Sequence, residues 1–203
     1  MAQAATGFSI TVPDNWFEID VHPDTRNGAI NTLVTERIAG MPELWEHRTA
    51  MVRALRRAAR SAHASGAAYC GVMVEGFGGA VLTAGITVSI VDAPNGETGA
   101  PAVMRYLKAI PNRGDGTPWR QVEQADLPQV GPVARTRGLE DVVAPDGAGW
   151  IRSVLMQTFV PFPGPMSDRV ALITGNSPIV QLEAELHDLF DAITSTFRFH
   201  TTS

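Results

Sequence analysis

The amino-acid sequence predicts one α+β domain over residues 1–203, with helices packed on a twisted, mostly antiparallel sheet. Hydrophobic and polar residues alternate in many short runs, and short turns separate most neighbouring runs. Helical spacing is clearest near the two ends of the chain. Strands that follow one another through short turns pair antiparallel, because parallel pairing needs a long crossover. No repeat or linker divides the chain, which at 203 residues and 44% hydrophobic can form one core.

The first third of the chain predicts a hairpin followed by two helices. Residues 8–12 and 16–21 read as strands around the turn residues Pro13-Asp14-Asn15. A helix is then predicted by apolar residues at helical spacing, ending near Gly40: Ile30, Leu33, Val34 and Ile38. A second helix begins at Pro42 and runs to about Ser65. Its expected buried side consists of Leu44, Met51, Val52, Leu55, Ala59 and Ala62.

The middle of the chain predicts further strands. Residues 68–75 and 80–91 flank a glycine-rich turn, and the loop at 92–99 follows. Residues 101–110 fit either a short helix or an irregular lining segment, and 111–118 form a loop rich in glycine and proline. Two more strands are indicated at residues 119–124 and 132–137.

The last quarter predicts a hairpin and a closing helix. Strands at 150–161 and 169–175 are joined by a proline-rich turn and lead into an amphipathic helix that ends in Phe197-Arg198-Phe199. We expect its apolar stripe to seal the sheet, through Leu186, Leu189, Phe190, Ile193 and Phe197.

Composition excludes some classes of function. A net charge of −5 argues against general nucleic-acid binding, which needs clustered positive charge. The first residues lack the pattern of a secretory signal, and no apolar run approaches the ~20 residues of a membrane-spanning helix. We therefore expect a cytoplasmic protein. Basic residues are almost all arginine, which together with abundant alanine and glycine suggests a GC-rich bacterial genome.

Cys70 is the only cysteine, so an intramolecular disulfide is excluded. It alternates with Val72 and Val74 on one face of a predicted strand. We interpret it as a small buried hydrophobic residue rather than as a nucleophile, since no base can be placed beside it.

Four arginines form the best electrostatic candidate for a site. Arg53, Arg56, Arg57 and Arg60 fall at i, i+3, i+4 and i+7 on the second predicted helix, so they form one cationic stripe. Arginine suits bidentate contacts with carboxylates, so the stripe fits an acidic protein partner or a phosphate-bearing ligand. The alternative is a solvated helix face with no partner.

Other patterns that resemble active sites have simpler explanations. Glu183, His187 and Asp191 repeat every four residues, as helical metal ligands do, but they border the apolar stripe of an amphipathic helix. The glycines at 76, 78 and 79 precede a strand, whereas a dinucleotide-binding loop precedes a helix. The four tryptophans are expected at the edge of the core. We predict no catalytic residue, metal or cofactor.

The order of elements resembles the Mog1/PsbP-like family across most of the chain. Three segments carry the resemblance: the opening Gly7-Phe8-Ser9-Ile10-Thr11-Val12-Pro13-Asp14-Asn15-Trp16, the helical stretch after Thr25-Arg26, and the closing residues 188–199. The resemblance implies an α/β/α sandwich around an antiparallel sheet, and a role as a binding or assembly factor. It also extends to uncharacterised cytoplasmic proteins of actinobacteria. It transfers no functional residue to a numbered position of this chain.

Two functions follow as hypotheses. The first is a non-enzymatic interaction or accessory factor for a bacterial assembly, binding an unknown and acidic protein through the arginine stripe. The second is a small-ligand-binding protein or enzyme with a cleft between the sheet and the loops at 92–99 and 112–119, because loops on a rigid sheet often carry function. A homodimer formed through one sheet face or an edge strand is left open.

Overall fold

A computed structural model describes residues 5–39, 42–77, 80–110, 120–143, 149–163 and 168–201. The helices among them are α1 (Arg26–Ile38), α2 (Arg48–Ala64), α3 (Ala100–Ala109) and α4 (Glu183–Thr194). The strands are β1 (Ala5–Ser9), β2 (Trp16–Glu18), β3 (Ala67–Phe77), β4 (Ala80–Asp92), β5 (Arg120–Leu127), β6 (Gly131–Val143), β7 (Trp150–Pro161), β8 (Arg169–Ser177) and β9 (Arg198–Thr201).

The described strands form a large sheet and a small one. The large sheet has seven strands in the order β2-β3-β4-β8-β7-β6-β5, and every pairing within it is antiparallel. The small sheet pairs β1 with β9, the two ends of the chain. The predicted α+β class with an antiparallel sheet is confirmed.

Helices cover both faces of the large sheet. Directly paired residues of antiparallel strands point to the same face, so pairing and alternation assign each side chain to a face. On one face, Ile86 and Ile173 pack in a single core with Phe190 of α4, and we call this the α4 face. On the other face, α1 and α2 pack over β3 near Cys70, while α3 packs over Phe159 and Val170. We call this second face the α2–α3 face.

The closing helix buries the predicted stripe. Leu186, Phe190, Ile193 and Phe197 are buried, and Leu189 is half-buried against the same core. The ring of Phe190 lies over Gly175 of β8, where no side chain occupies the space. The stripe therefore seals the α4 face of the sheet, as the periodicity predicts.

Two predictions about the chain ends are wrong. The predicted N-terminal hairpin does not form, since β1 pairs with β9 and β2 pairs with β3. The last helix ends at Thr194, and Phe197-Arg198-Phe199 leads into β9 instead of completing the helix. The physical reason is aromatic packing between the ends: Phe8 stacks on Phe197 with ring centroids 5.5 Å apart, which favours β1 beside β9.

The predictions for single helices agree with the structure, whereas the prediction for the tryptophans does so only in part. Residues 101–110 fall largely within α3, so the helical reading is confirmed. The helix predicted from Pro42 begins as a short 3-10 helix and becomes α2 at Arg48. Trp16 is buried, but Trp45 is 48% exposed and Trp150 is 66% exposed, so the core-edge prediction is wrong for both of these residues. Trp119 lies outside the described residues.

Candidate functional site

Helix α2 carries a dense positive charge in an acidic protein. Its 17 residues include five arginines and no aspartate or glutamate, whereas the whole chain has a net charge of −5. Arg53, Arg56, Arg57 and Arg60 all lie within α2, at the spacing that places them on one side of the helix over about 10 Å. We call these four side chains the arginine face. Beneath it, Val52 and Ala59 are buried against α1 and β3.

One member of the arginine face has a structural role. The Arg56 Nη2 donates a hydrogen bond to the backbone carbonyl oxygen of Asn27 in α1, at 2.9 Å, and the Arg56 side chain is half-buried. Arg53, Arg57 and Arg60 are exposed. The structure therefore separates an anchoring arginine from three that face outward.

Three of the four arginines of the arginine face, Arg53, Arg56 and Arg60, lack a nearby counter-charge among the described residues. Within the described residues, no carboxylate lies within 4.0 Å of the guanidinium nitrogens of Arg53, Arg56 or Arg60. Like charges three and four residues apart on a helix destabilise it by about 0.2–0.5 kcal/mol per pair. The arrangement therefore costs stability locally and leaves the charges of Arg53 and Arg60 for an external anion.

Two of the three polar residues that repeat along α4 make contacts within the fold. The Nη1 of Arg135, on β6, forms an ion pair with the Oδ1 of Asp191. His187 is buried, and its Nε2 lies 3.3 Å from the backbone carbonyl oxygen of Leu155. Among the described residues, no three His, Cys, Asp or Glu side chains are grouped so that they could hold a metal ion. For His187 and Asp191, these contacts support the architectural interpretation.

Cys70 is buried on the α2–α3 face, and its interpretation as a small buried residue is confirmed. Burial, with a smaller effect from the charge of Glu18, raises the pKa of the thiol from 9.0 to about 11. A reactive cysteine has a lowered pKa and an accessible sulfur. The environment of Cys70 therefore disfavours a nucleophilic role.

The raised pKa of Cys70 predicts a loss of stability in alkali. The unfolded thiol ionises near pH 9 and the folded thiol near pH 11, so the folded state holds more protons between these values. The free energy of unfolding therefore falls as pH rises from 9 to 11. Cys70→Ala should make this fall shallower in urea unfolding at pH 8, 9 and 10. Some slope should remain, because burial also raises the pKa of Tyr69 to about 12. An unchanged slope in the variant would contradict the assignment to Cys70.

Compared with models of known protein families, the chain matches none, and a search of curated proteins finds no match either. The Mog1/PsbP-like resemblance therefore stays a prediction. No helix in the described ranges is both long and apolar enough to cross a membrane.

The predicted ligand cleft lies partly outside the described residues, because these exclude 112–119. Around the other loop, at 92–99, Ala93 is buried in the core under α3. The homodimer also stays a prediction, and the edge strands of the large sheet are β2 and β5.

Sequence reasoning missed a polar row on the α2–α3 face. Pairing places four side chains in line across four neighbouring strands: Thr87, Thr174, Gln157 and Thr136. We call this line the polar row. Its only signal in the sequence is one residue among several polar residues in each of four strands. That signal cannot be assembled without the strand order β4-β8-β7-β6.

Proposed function

We propose that this protein is a non-enzymatic interaction or assembly factor of a bacterial, actinobacterial cytoplasm, and that the arginine face of α2 docks an acidic segment of a protein partner. The observation that carries the proposal is the segregation of charge: α2 has five arginines and no acidic residue in a chain of net charge −5. The resemblance to Mog1/PsbP-like binding factors points in the same direction.

The partner class follows from the size of the charged surface. The arginine face spans about 10 Å of one helix, which matches a short run of carboxylates on a peptide or helix. A nucleic acid presents phosphates over a longer track and binds best to an extended positive surface. The acidic remainder of this chain would repel such a track, so an acidic protein segment is the better fit.

Charge reversal at the outward arginines tests the proposal. Arg53→Glu/Arg60→Glu should weaken binding of a fluorescent poly-glutamate peptide at least tenfold in anisotropy titrations at low salt. Arg56 is left unchanged because it anchors α2 to α1. The melting temperature should not fall, since like-charge pairs are removed from the helix.

The matched control reverses two exposed arginines outside α2, Arg105→Glu/Arg198→Glu, and changes the net charge by the same amount. It should retain most of the peptide affinity. Equal losses of peptide affinity in both double variants would show a general effect of net charge and contradict a docking face on α2. Tighter binding to a nucleic acid of similar charge than to the peptide would also contradict the proposal.

A further inference from the structure

The polar row interrupts an apolar sheet face abruptly. On β6, β7 and β8, the directly paired residues Ala134, Phe159 and Leu172 pack in the core under α3. Two residues along each of the same strands, the side chains become Thr136, Gln157 and Thr174. The face therefore changes from apolar to polar over about 7 Å of strand.

Solvent reaches part of the polar row. Thr87, Thr174 and Gln157 are half-buried, and only Thr136 is fully buried. None of the four side chains forms a hydrogen bond with another residue in the part of the chain that the structure describes. None of their polar atoms is among the buried atoms without a partner, so solvent reaches them and a ligand can replace water as their hydrogen-bond partner.

The side chains of the polar row are uncharged hydrogen-bonding groups, which favour a ligand of the same kind. We propose that the polar row binds a neutral saccharide. Threonine hydroxyls and a glutamine amide both donate and accept hydrogen bonds, as sugar hydroxyls do, and they cover about 14 Å across four strands. No member of the row carries a charge, so the row itself offers no counter-charge to an ionic ligand.

A peptide fits the polar row less well. The strands beneath the row are central, and their backbone groups are already paired with neighbouring strands, so an added strand cannot bind there. An aromatic side chain is available at the same end of the face. Tyr106 of α3 is exposed, and the carbonyl oxygen of the next residue, Leu107, accepts a hydrogen bond from Nη2 of Arg120 at 2.7 Å. Arg120 in turn pairs with Gly138, two residues beyond Thr136. Aromatic rings can supply apolar contact to a sugar ring.

The test uses neutral oligosaccharides as probes: α- and β-linked tetramers of glucose, mannose, galactose and N-acetylglucosamine. We expect at least one to bind the unaltered protein at millimolar concentration or below, measured by saturation-transfer NMR and calorimetry. Gln157→Leu/Thr174→Val removes hydrogen-bonding groups while nearly conserving shape, and should weaken that binding at least tenfold. Its melting temperature should equal or exceed that of the unaltered protein, because apolar residues suit a half-buried sheet face.

The control variant, Thr32→Val/Gln129→Leu, makes the same chemical changes at exposed positions and should bind as the unaltered protein does. If the double variant fails to fold, Thr174→Val alone provides the affinity comparison. The proposal is overturned if no neutral tetramer binds, if the polar-row variant retains affinity, or if only charged sugars or peptides bind. Poly-glutamate binding at α2 should be the same in both variants, so this test and the test of the docking face can fail separately.

Discussion

Gly175→Ala is expected to lower the free energy of unfolding by about 3 kcal/mol, because the core has no room for a methyl group there. A Cβ at residue 175 would lie 2.5 Å from Cγ of Phe190, and 2.7 and 2.8 Å from its two Cδ atoms. Phe190 is fully buried, so its ring cannot swing into solvent. Either α4 or β8 must move away, and the core between them loses contacts. Urea unfolding followed by circular dichroism measures the loss.

Two further variants make this prediction specific. Gly28→Ala adds the same methyl group in α1, where no atom lies within 4 Å of the new Cβ, and should stabilise the protein by about 0.5–1 kcal/mol. Phe190→Leu leaves a cavity when made alone, but combined with Gly175→Ala it relieves the clash. The double variant should therefore lose less stability than the sum of the single losses. If the losses in the free energy of unfolding are additive, residue 175 and residue 190 are not in steric conflict, which would contradict the prediction.

The contact between Gly175 and Phe190 illustrates what local sequence patterns can predict. The spacing of Leu186, Phe190 and Ile193 is a property of one helix, so the buried side of α4 follows from periodicity alone. That a glycine on β8 receives the ring depends on how the helix crosses the sheet. No local pattern encodes that crossing.

Pairings between distant segments explain the errors at the chain ends. The side-chain hydroxyl of Thr6 donates a hydrogen bond to the carbonyl oxygen of His200, which is 194 positions away. Local sequence patterns predict that the N-terminal strand pairs with its nearest neighbour in sequence, because consecutive strands usually lie side by side. The packing of Phe8 on Phe197 favours the distant pairing instead.

The two candidate sites also differ in whether a local sequence pattern can predict them. The arginine face lies on one helix, so the spacing of Arg53, Arg57 and Arg60 predicts it from sequence. The anchoring of Arg56 to α1 does not follow from that spacing. The polar row needs the order of four strands, and Thr87 and Thr136 belong to strands separated by β7 and β8 in the sheet. Single-sequence periodicity carries no information on that order.

Asp191→Ala is the second change with a large expected effect, a loss of about 3 kcal/mol in the free energy of unfolding. Asp191 is the ion-pair partner of Arg135, whose side chain is only 6% exposed. The Nε of Arg135 donates a hydrogen bond to Oγ1 of Thr158 at 3.1 Å, but its buried Nη2 has no partner among the described residues. Removing the carboxylate therefore leaves a buried positive charge with too few acceptors.

Arg135 and Asp191 differ in burial, so the two single substitutions should have different effects on stability. The Asp191 side chain is 52% exposed, so water can solvate its carboxylate when Arg135 is absent. The Arg135 side chain is only 6% exposed, so water cannot replace Asp191 as the partner of its charge. Arg135→Met should therefore cost less than Asp191→Ala, about 1 kcal/mol, since methionine fills the space without a charge to desolvate. Asp188→Ala, at an exposed position on the same helix, should change stability by less than about 0.5 kcal/mol. A larger loss for Arg135→Met than for Asp191→Ala would mean that packing of the arginine stem, and not its buried charge, dominates the energetics at this point of the sheet.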